Sequence, residues 1–260
     1  MIDVPRLGFV SYANASPFSL PYLQGHLPCP FECIAHIPTI LNQKLKNHEL
    51  DVALTSSVGS FSEGFSSLSH FGIAAQQTVL SVNLYTRFPL SELDGKTVGV
   101  TEQSATSHDL LKLLCMHLWK VEPHFISLDR EKKLSIYDAL LLIGDEALRQ
   151  PAIKGFDTVD LGEEWYKLTG LPFVFALFVC RNELVAFYSA AIEKHMEMAL
   201  QWSDQHQEHL ISMVQKKLDL PKETLKKYFS CLYYRLEKKE HDSLLLFKKL
   251  RETTTYVSAI

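Results

Sequence analysis

The placing of its apolar segments constrains this chain most. Short apolar runs alternate with stretches of helical spacing, and two longer β-type segments bracket the middle of the series. Arg6 to Tyr12 reads as a first strand, Pro38 to Asn47 as a helix and Leu50 to Thr55 as a short buried strand. The first long segment, Ile73 to Thr86, sets Val79, Ser81, Asn83 and Tyr85 against Leu80, Val82 and Leu84, the alternation expected of a strand. The second long segment is Leu171 to Arg181. Between them lie strand patterns at Lys96–Val100, Phe125–Leu128, Ala139–Ile143 and Thr158–Leu161, with an amphipathic helix at Ser104–Leu118. Beyond Arg181 the spacing is mostly helical, over Val185–Gln201, His206–Leu218, Pro221–Phe229 and Asp242–Arg251.

Strands alternating with helices imply α/β layers. The two long β segments imply a middle lobe inserted into a first lobe by two crossings. On this reading residues 1–85 and 176–260 form lobe 1, which holds both termini, and residues 86–175 form lobe 2. A chain of 260 residues suits two lobes of ordinary domain size.

Charge and cysteine usage narrow the partners. The formal net charge of −4 argues against a duplex nucleic-acid binder, whose affinity draws on a basic excess. The stretch KKYFSCLYYRLEKK interleaves bases and aromatics, but a helix end followed by a strand accounts for it equally well. The five cysteines are odd in number and contain no CxxC pair, which fits a reducing compartment. Cys115 and Cys180 have the surroundings of small buried hydrophobes. The opening MIDVPRLGFVSY runs into a strand pattern without the succession of an export signal. The longest apolar run, Leu171 to Cys180, is far short of the roughly 20 residues that span a bilayer. The expectation is a cytoplasmic protein without membrane insertion.

Two polar turns stand where strands give way to helices. In the segment 101–108, Ser104, Thr106 and Ser107 flank a helix start, where unpaired N–H groups and a partial positive charge can cradle a carboxylate or phosphate. Taken alone, such a turn is more simply a helix cap. The turn Ser11–Pro17 ends the first strand and carries Asn14, which can donate and accept in one side chain. Pro17 suits a helix start, with Ser16 as its cap. In open α/β sheets, ligands bind beyond the carboxyl ends of strands, so both turns are candidates for a shared cleft that holds a small carboxylate.

Other polar clusters carry less. Asp145 and Glu146 are adjacent and do not share a helix face; Asp145 reads as an N-cap. Glu163 and Glu164 read as a solvated helix start. His206 and His209 have metal-compatible spacing but no third ligand, so a solvated face is the better reading. No P-loop, GxGxxG, HExxH or GxSxG motif occurs.

Several segments together resemble the chorismate dehydratase family of the futalosine route to menaquinone. They are GFVSYANASPF, ELDVALTSS, QTVLSVNLYT, TVGVTEQSATSHDLL, ALLLIGDEAL, DLGEEWYKLTGLPFVFALF and YFSCLYYRLEKKEHDSLLLFKKL, in family order over nearly the whole chain. The resemblance implies a two-lobed, type II periplasmic-binding-protein-like α/β fold with two crossing strands between lobes. It also implies loss of water from chorismate, giving 3-[(1-carboxyvinyl)oxy]benzoate. By this resemblance Asn14 and Ser81 match the catalytic centre, and Ser104, Thr106 and Ser107 would hold a carboxylate. Ser11, Ser56 and Asp145 are weaker candidates for the cleft wall. No metal or cofactor is implied, because the reaction is redox-neutral. Ala13 departs from the family's usual leucine but leaves Asn14 in register. The sister enzyme that forms 1,4-dihydroxy-6-naphthoate is an alternative. It typically has a different opening turn and a histidine after the strand matching Ala139–Ile143, where this chain has Gly144-Asp145. A non-enzymatic cytosolic carboxylate binder is the other alternative.

Overall fold

A computed structural model describes residues 4–129 and 131–257. Its strands are β1 (Arg6–Val10), β2 (Glu32–His36), β3 (Val52–Ser56), β4 (Phe65–Ala75), β5 (Val82–Thr86), β6 (Thr97–Val100), β7 (His124–Ser127), β8 (Ala139–Ile143), β9 (Asp157–Asp160), β10 (Phe173–Arg181) and β11 (Leu232–Arg235). Its α-helices are α1 (Ser16–Leu23), α2 (Pro38–Lys46), α3 (Ala105–Leu114), α4 (Gly144–Arg149), α5 (Leu161–Thr169), α6 (Val185–Gln205), α7 (Gln207–Leu218), α8 (Lys222–Ser230) and α9 (Lys238–Val257). None of these helices is long and apolar enough to cross a membrane.

The strands form two sheets. One has the order β11-β4-β10-β3-β1-β2, the other β7-β6-β8-β5-β9. In the first sheet β1 runs parallel to β2 and β3, and β10 lies antiparallel to β3 with Ala176 opposite Ser56. In the second, β6 is parallel to β7 and β8, while β5 is antiparallel to β8 and β9. Strands β3, β5 and β8 are buried along their whole length, as expected where both faces of a sheet are covered, and β8 is apolar throughout.

The chain divides into two compact units. The first comprises the chain up to Ala74 with Val174–Glu237; the second comprises Ala75–Phe173 with the chain from Lys238. This differs from the expected lobes in three ways, the smallest being that Val174 and Phe175 fall in the first unit. The segment from Ala75 to Tyr85 belongs to the second unit, because β5 pairs with β8 and β9. The described part of α9 also belongs there, so the chain passes between units three times rather than twice. The reason is an aromatic cluster in the second unit. Phe247 of α9 meets Trp165 and Phe173 edge-on at 5.9 and 5.0 Å, and Trp165 Nε1 donates to Ser243 Oγ at 3.0 Å. Burying one such ring is worth roughly 2–3 kcal/mol. Arg251 Nε adds a bond to Asp109 Oδ2 at 2.5 Å. The terminal residues 1–3 and 258–260, expected in lobe 1, lie outside the described residues.

The first unit has its own core. Phe18 meets Phe178 at 5.3 Å and Phe71 at 6.2 Å, and Phe178 meets Phe9 at 6.4 Å, all edge-to-face. At the amino ends of β1 and β3, Asp51 accepts from Arg6 Nε and Nη2 at 3.1 and 2.9 Å. Burial works against the Asp51 charge, but the bonds from Arg6 outweigh it and hold the carboxyl below its usual range.

Three local expectations change. Ile73–Thr86 is not one strand: β4 ends at Ala75, β5 begins at Val82, and Leu80 between them has φ 62°. β2 lay unnoticed because its residues are only half-buried or exposed and carry no apolar alternation. In α1, Ala15 rather than Ser16 holds the capping position, with Pro17 inside the first turn.

Candidate active site

Each unit gathers candidate residues at one edge of its sheet. In the first unit these edges are the carboxyl ends of β1 and β3. Beyond β1, the backbone N–H of Ser11 donates to the His36 carbonyl at 2.9 Å, and the Ser11 carbonyl accepts from Lys217 Nζ of α7. The chain then makes a short 3-10 turn over Ala13–Ala15 that carries Asn14. Asn14 Oδ1 is buried and has no hydrogen-bond partner among the described residues.

β3 runs into three successive hydroxyls. Thr55 Oγ1 donates to Asn42 Oδ1 at 3.0 Å, and Ser57 Oγ to the Val174 carbonyl at 2.6 Å. Ser56 between them is buried, yet its Oγ also lacks a partner among the described residues. Most buried polar groups are paired, and each one left unpaired costs about 1–3 kcal/mol. Two such atoms lie at or just beyond the ends of the paired strands β1 and β3. A cavity of about 440 Å³ opens beside this edge, with Ser11, Tyr12, Ser16, Ser19, Lys216 and Lys217 among its lining. Neither Asn14 nor Ser56 lines it. No local pattern pointed to Lys217, which reaches Ser11 across 206 positions of sequence.

In the second unit the edge is formed by the carboxyl ends of β6, β8 and β9 and the amino end of β5. Ser104 caps α3: its Oγ accepts from the Ser107 N–H and from Ser107 Oγ, both at 3.3 Å. Ser104, Thr106 and Ser107 are all buried around the helix start. Leu110, Leu111, Leu113 and Leu114 are buried in α3, which packs on α5 and α9.

Ser81 is buried immediately before β5, and its carbonyl accepts from the Gly144 N–H at 2.7 Å. Gly144 has φ 61°, a left-handed backbone that glycine adopts freely, and it opens α4. Asp145 therefore sits inside the first turn of α4 and is not its N-cap; that position is Ile143. The second unit thus brings together Ser81, Ser104, Thr106, Ser107 and Asp145, while the first brings together Ser11, Asn14 and Ser56.

Two polar clusters have structural roles. Glu164 is buried rather than solvated: its Oε2 accepts from Trp119 Nε1 at 3.0 Å, and Lys167 Nζ pairs with its other oxygen at 2.5 Å. His206 stacks on Trp202 at 4.6 Å, and His209 meets the same ring edge-on at 6.0 Å. Among the described residues no three His, Cys, Asp or Glu side chains are grouped to hold a metal.

Comparison with known proteins adds the family. The family described as menaquinone biosynthesis matches residues 5–252. The chain belongs to that family. Within the menaquinone-biosynthesis family it is 31% identical over 196 residues to a chorismate dehydratase of Thermus thermophilus, covering 68% of this chain and 70% of the relative. It is 26% identical over 250 residues to a chorismate dehydratase of Campylobacter jejuni, covering 93% and 95%. Among solved structures, a protein from Archaeoglobus fulgidus superposes with a TM-score of 0.78 at 20% identity, covering 96% of this chain and 97% of that one. The alkanesulfonate-binding protein of Xanthomonas axonopodis superposes with a TM-score of 0.67 at 12% identity, covering 95% and 93%. The fold of this family member is thus that of the periplasmic binding proteins.

Proposed function

We propose that this protein is a chorismate dehydratase, a cytoplasmic hydro-lyase that converts chorismate to 3-[(1-carboxyvinyl)oxy]benzoate. The observation that carries the reading is its relationship, over nearly its full length, to curated enzymes of that name. The reaction removes the C3 proton and the C4 hydroxyl of the ring. Aromatisation drives it, so the protein has to orient the substrate and stabilise developing charge rather than supply a strong base. The enolpyruvyl carboxylate of the substrate itself takes the C3 proton and passes it to the departing C4 hydroxyl, which leaves as water while the C3–H electron pair completes the aromatic ring.

The buried side chains suit that division of work. Asn14 Oδ1 is an acceptor without a donor, and the C4 hydroxyl is a donor. A hydrogen bond between them would hold the departing group. Ser81 positions the hydroxyl or the enolpyruvyl side chain. One carboxylate binds at the start of α3, where Ser104, Thr106 and Ser107 gather hydroxyls at the positive end of the helix. Ser56 Oγ, unpartnered and able to donate, offers a further contact, with Ser11 and Asp145 at the wall.

The test is to incubate the purified protein with chorismate and follow formation of the enolpyruvyl benzoate. Product formation is expected. Binding without turnover would point to a carboxylate-binding protein. Activity only on a cyclic futalosine derivative would point to the naphthoate-forming sister enzyme.

A further inference from the structure

The segment joining β4 to β5 holds an unusual backbone beside Ser81. Leu80 has φ 62°, a conformation that costs an L-residue roughly 1–2 kcal/mol. Three hydrogen bonds keep it there. Asp160 Oδ2 accepts from the N–H groups of Val79 and Leu80 at 2.9 and 2.7 Å, and Asn83 Nδ2 donates to the Leu80 carbonyl at 2.9 Å.

Asp160 also caps α5. Its Oδ1 accepts from the N–H groups of Gly162 and Glu163 at 2.9 and 3.3 Å. One carboxylate thus joins a helix start to a left-handed turn. Gly162 lets the two approach: a Cβ there would stand 2.3 Å from the Gln77 carbonyl oxygen. A helix cap alone would need only one of the two oxygens. The second oxygen is spent on the two residues that precede Ser81.

The charge is also kept against the fold's interest. Burial pushes the Asp160 carboxyl up to about 6; the N–H groups pull it down, and the charge of Glu163 adds to the rise. Unfavourable backbone and a disfavoured charge held together near a candidate catalytic side chain are expected where geometry serves function.

We infer that Asp160 is a positioning residue, which fixes the left-handed turn at Leu80 and through it the direction of Ser81. The inference rests on the reading of Ser81 as a catalytic residue.

Asp160→Ser separates the two roles of the carboxylate, because serine caps a helix as well as aspartate does but is too short to serve both sides. Asp160→Ser should lower kcat by about 10- to 100-fold with KM changed less than about threefold, in line with a misplaced reacting group. Adding Leu80→Gly should restore at least about tenfold of the loss, because glycine takes the left-handed turn without help. Unchanged kcat in Asp160→Ser, or no restoration by Leu80→Gly, overturns the inference. If Asp160→Ser does not fold, Asp160→Asn with and without Leu80→Gly is judged by the same outcomes. Ser81→Ala tests the underlying reading separately. If that variant keeps full turnover, amide hydrogen exchange at Leu80 and Ser81 decides on positioning alone: about tenfold faster exchange in the Asp160 variant supports it, and unchanged exchange overturns it.

Discussion

The two sheet edges handle buried polar groups in opposite ways. At the edge of the first unit, Asn14 Oδ1 and Ser56 Oγ are buried and have no partner among the described residues, although Thr55 and Ser57 on either side of Ser56 are bonded into the fold. At the edge of the second unit the hydroxyl of Ser104 accepts two bonds and Asp160 accepts four, although His108 Nε2 of α3 is also buried without a partner among the described residues. The first edge leaves bonding capacity for a ligand. The second spends most of its bonds on holding a shape, and on the proposed reading its share of recognition would come from the helix start and the placing of Ser81. Substitutions should therefore separate: changes at the first edge should affect activity far more than stability, whereas changes at the second should affect both.

The largest effect expected is that of Asn14→Ala. Loss of the group that holds the departing hydroxyl in position costs about 10²-fold in kcat. Thermal unfolding should show the melting point moved by only a few degrees. If Asn14→Ala and Ser81→Ala both keep full turnover, the site assignment is wrong. Ser104→Ala should come next. It removes a cap bonded to Ser107, so chemical denaturation should show a loss of about 1 kcal/mol, and kinetics a raised KM. A mutant that loses activity without stability would erase the contrast between the edges.

Two carboxylates give opposite signs in a pH titration of stability. The Asp160 carboxyl lies at about 6 in the fold and near 3.9 when unfolded, so the folded chain binds more protons between those values. Its contribution is full below about 4 and is lost as pH rises through about 6. Asp51 is held below its unfolded value, so its contribution is present above about 4 and is lost on further acidification. Against wild type, Asp160→Asn should flatten the first slope and Asp51→Asn the second. Ser56→Ala should have the smallest effect on folding, within about 0.5 kcal/mol, because the hydroxyl it removes has no partner to lose.

Much of this was legible in the sequence. Strand and helix alternation implied the α/β class, and the turns at Ser11–Pro17 and Ser104–Ser107 do lie at strand ends, where Ser104 proves to be the residue that caps α3. What was hidden depended on distant residues. The alternation of Val79 to Tyr85 reads as an unbroken strand, and the bend at Leu80 is held in part by Asp160, 80 positions beyond it. The partners of α9, Trp165 and Phe173, are as remote, so its helical spacing could not say which unit it would join. Asp145 looked like a cap because the left-handed Gly144 that opens the helix itself leaves no periodic trace.

The central claim is that the first edge holds polar atoms unpaired for a ligand. Its most direct test is the double variant Asn14→Ala/Ser56→Ala, measured for unfolding free energy without ligand and for chorismate affinity. The account predicts unfolding free energy within about 1 kcal/mol of wild type, or higher, and chorismate bound at least about tenfold more weakly. A loss of about 2–3 kcal/mol in stability with affinity unchanged would contradict it, because those atoms would then be partners within the fold.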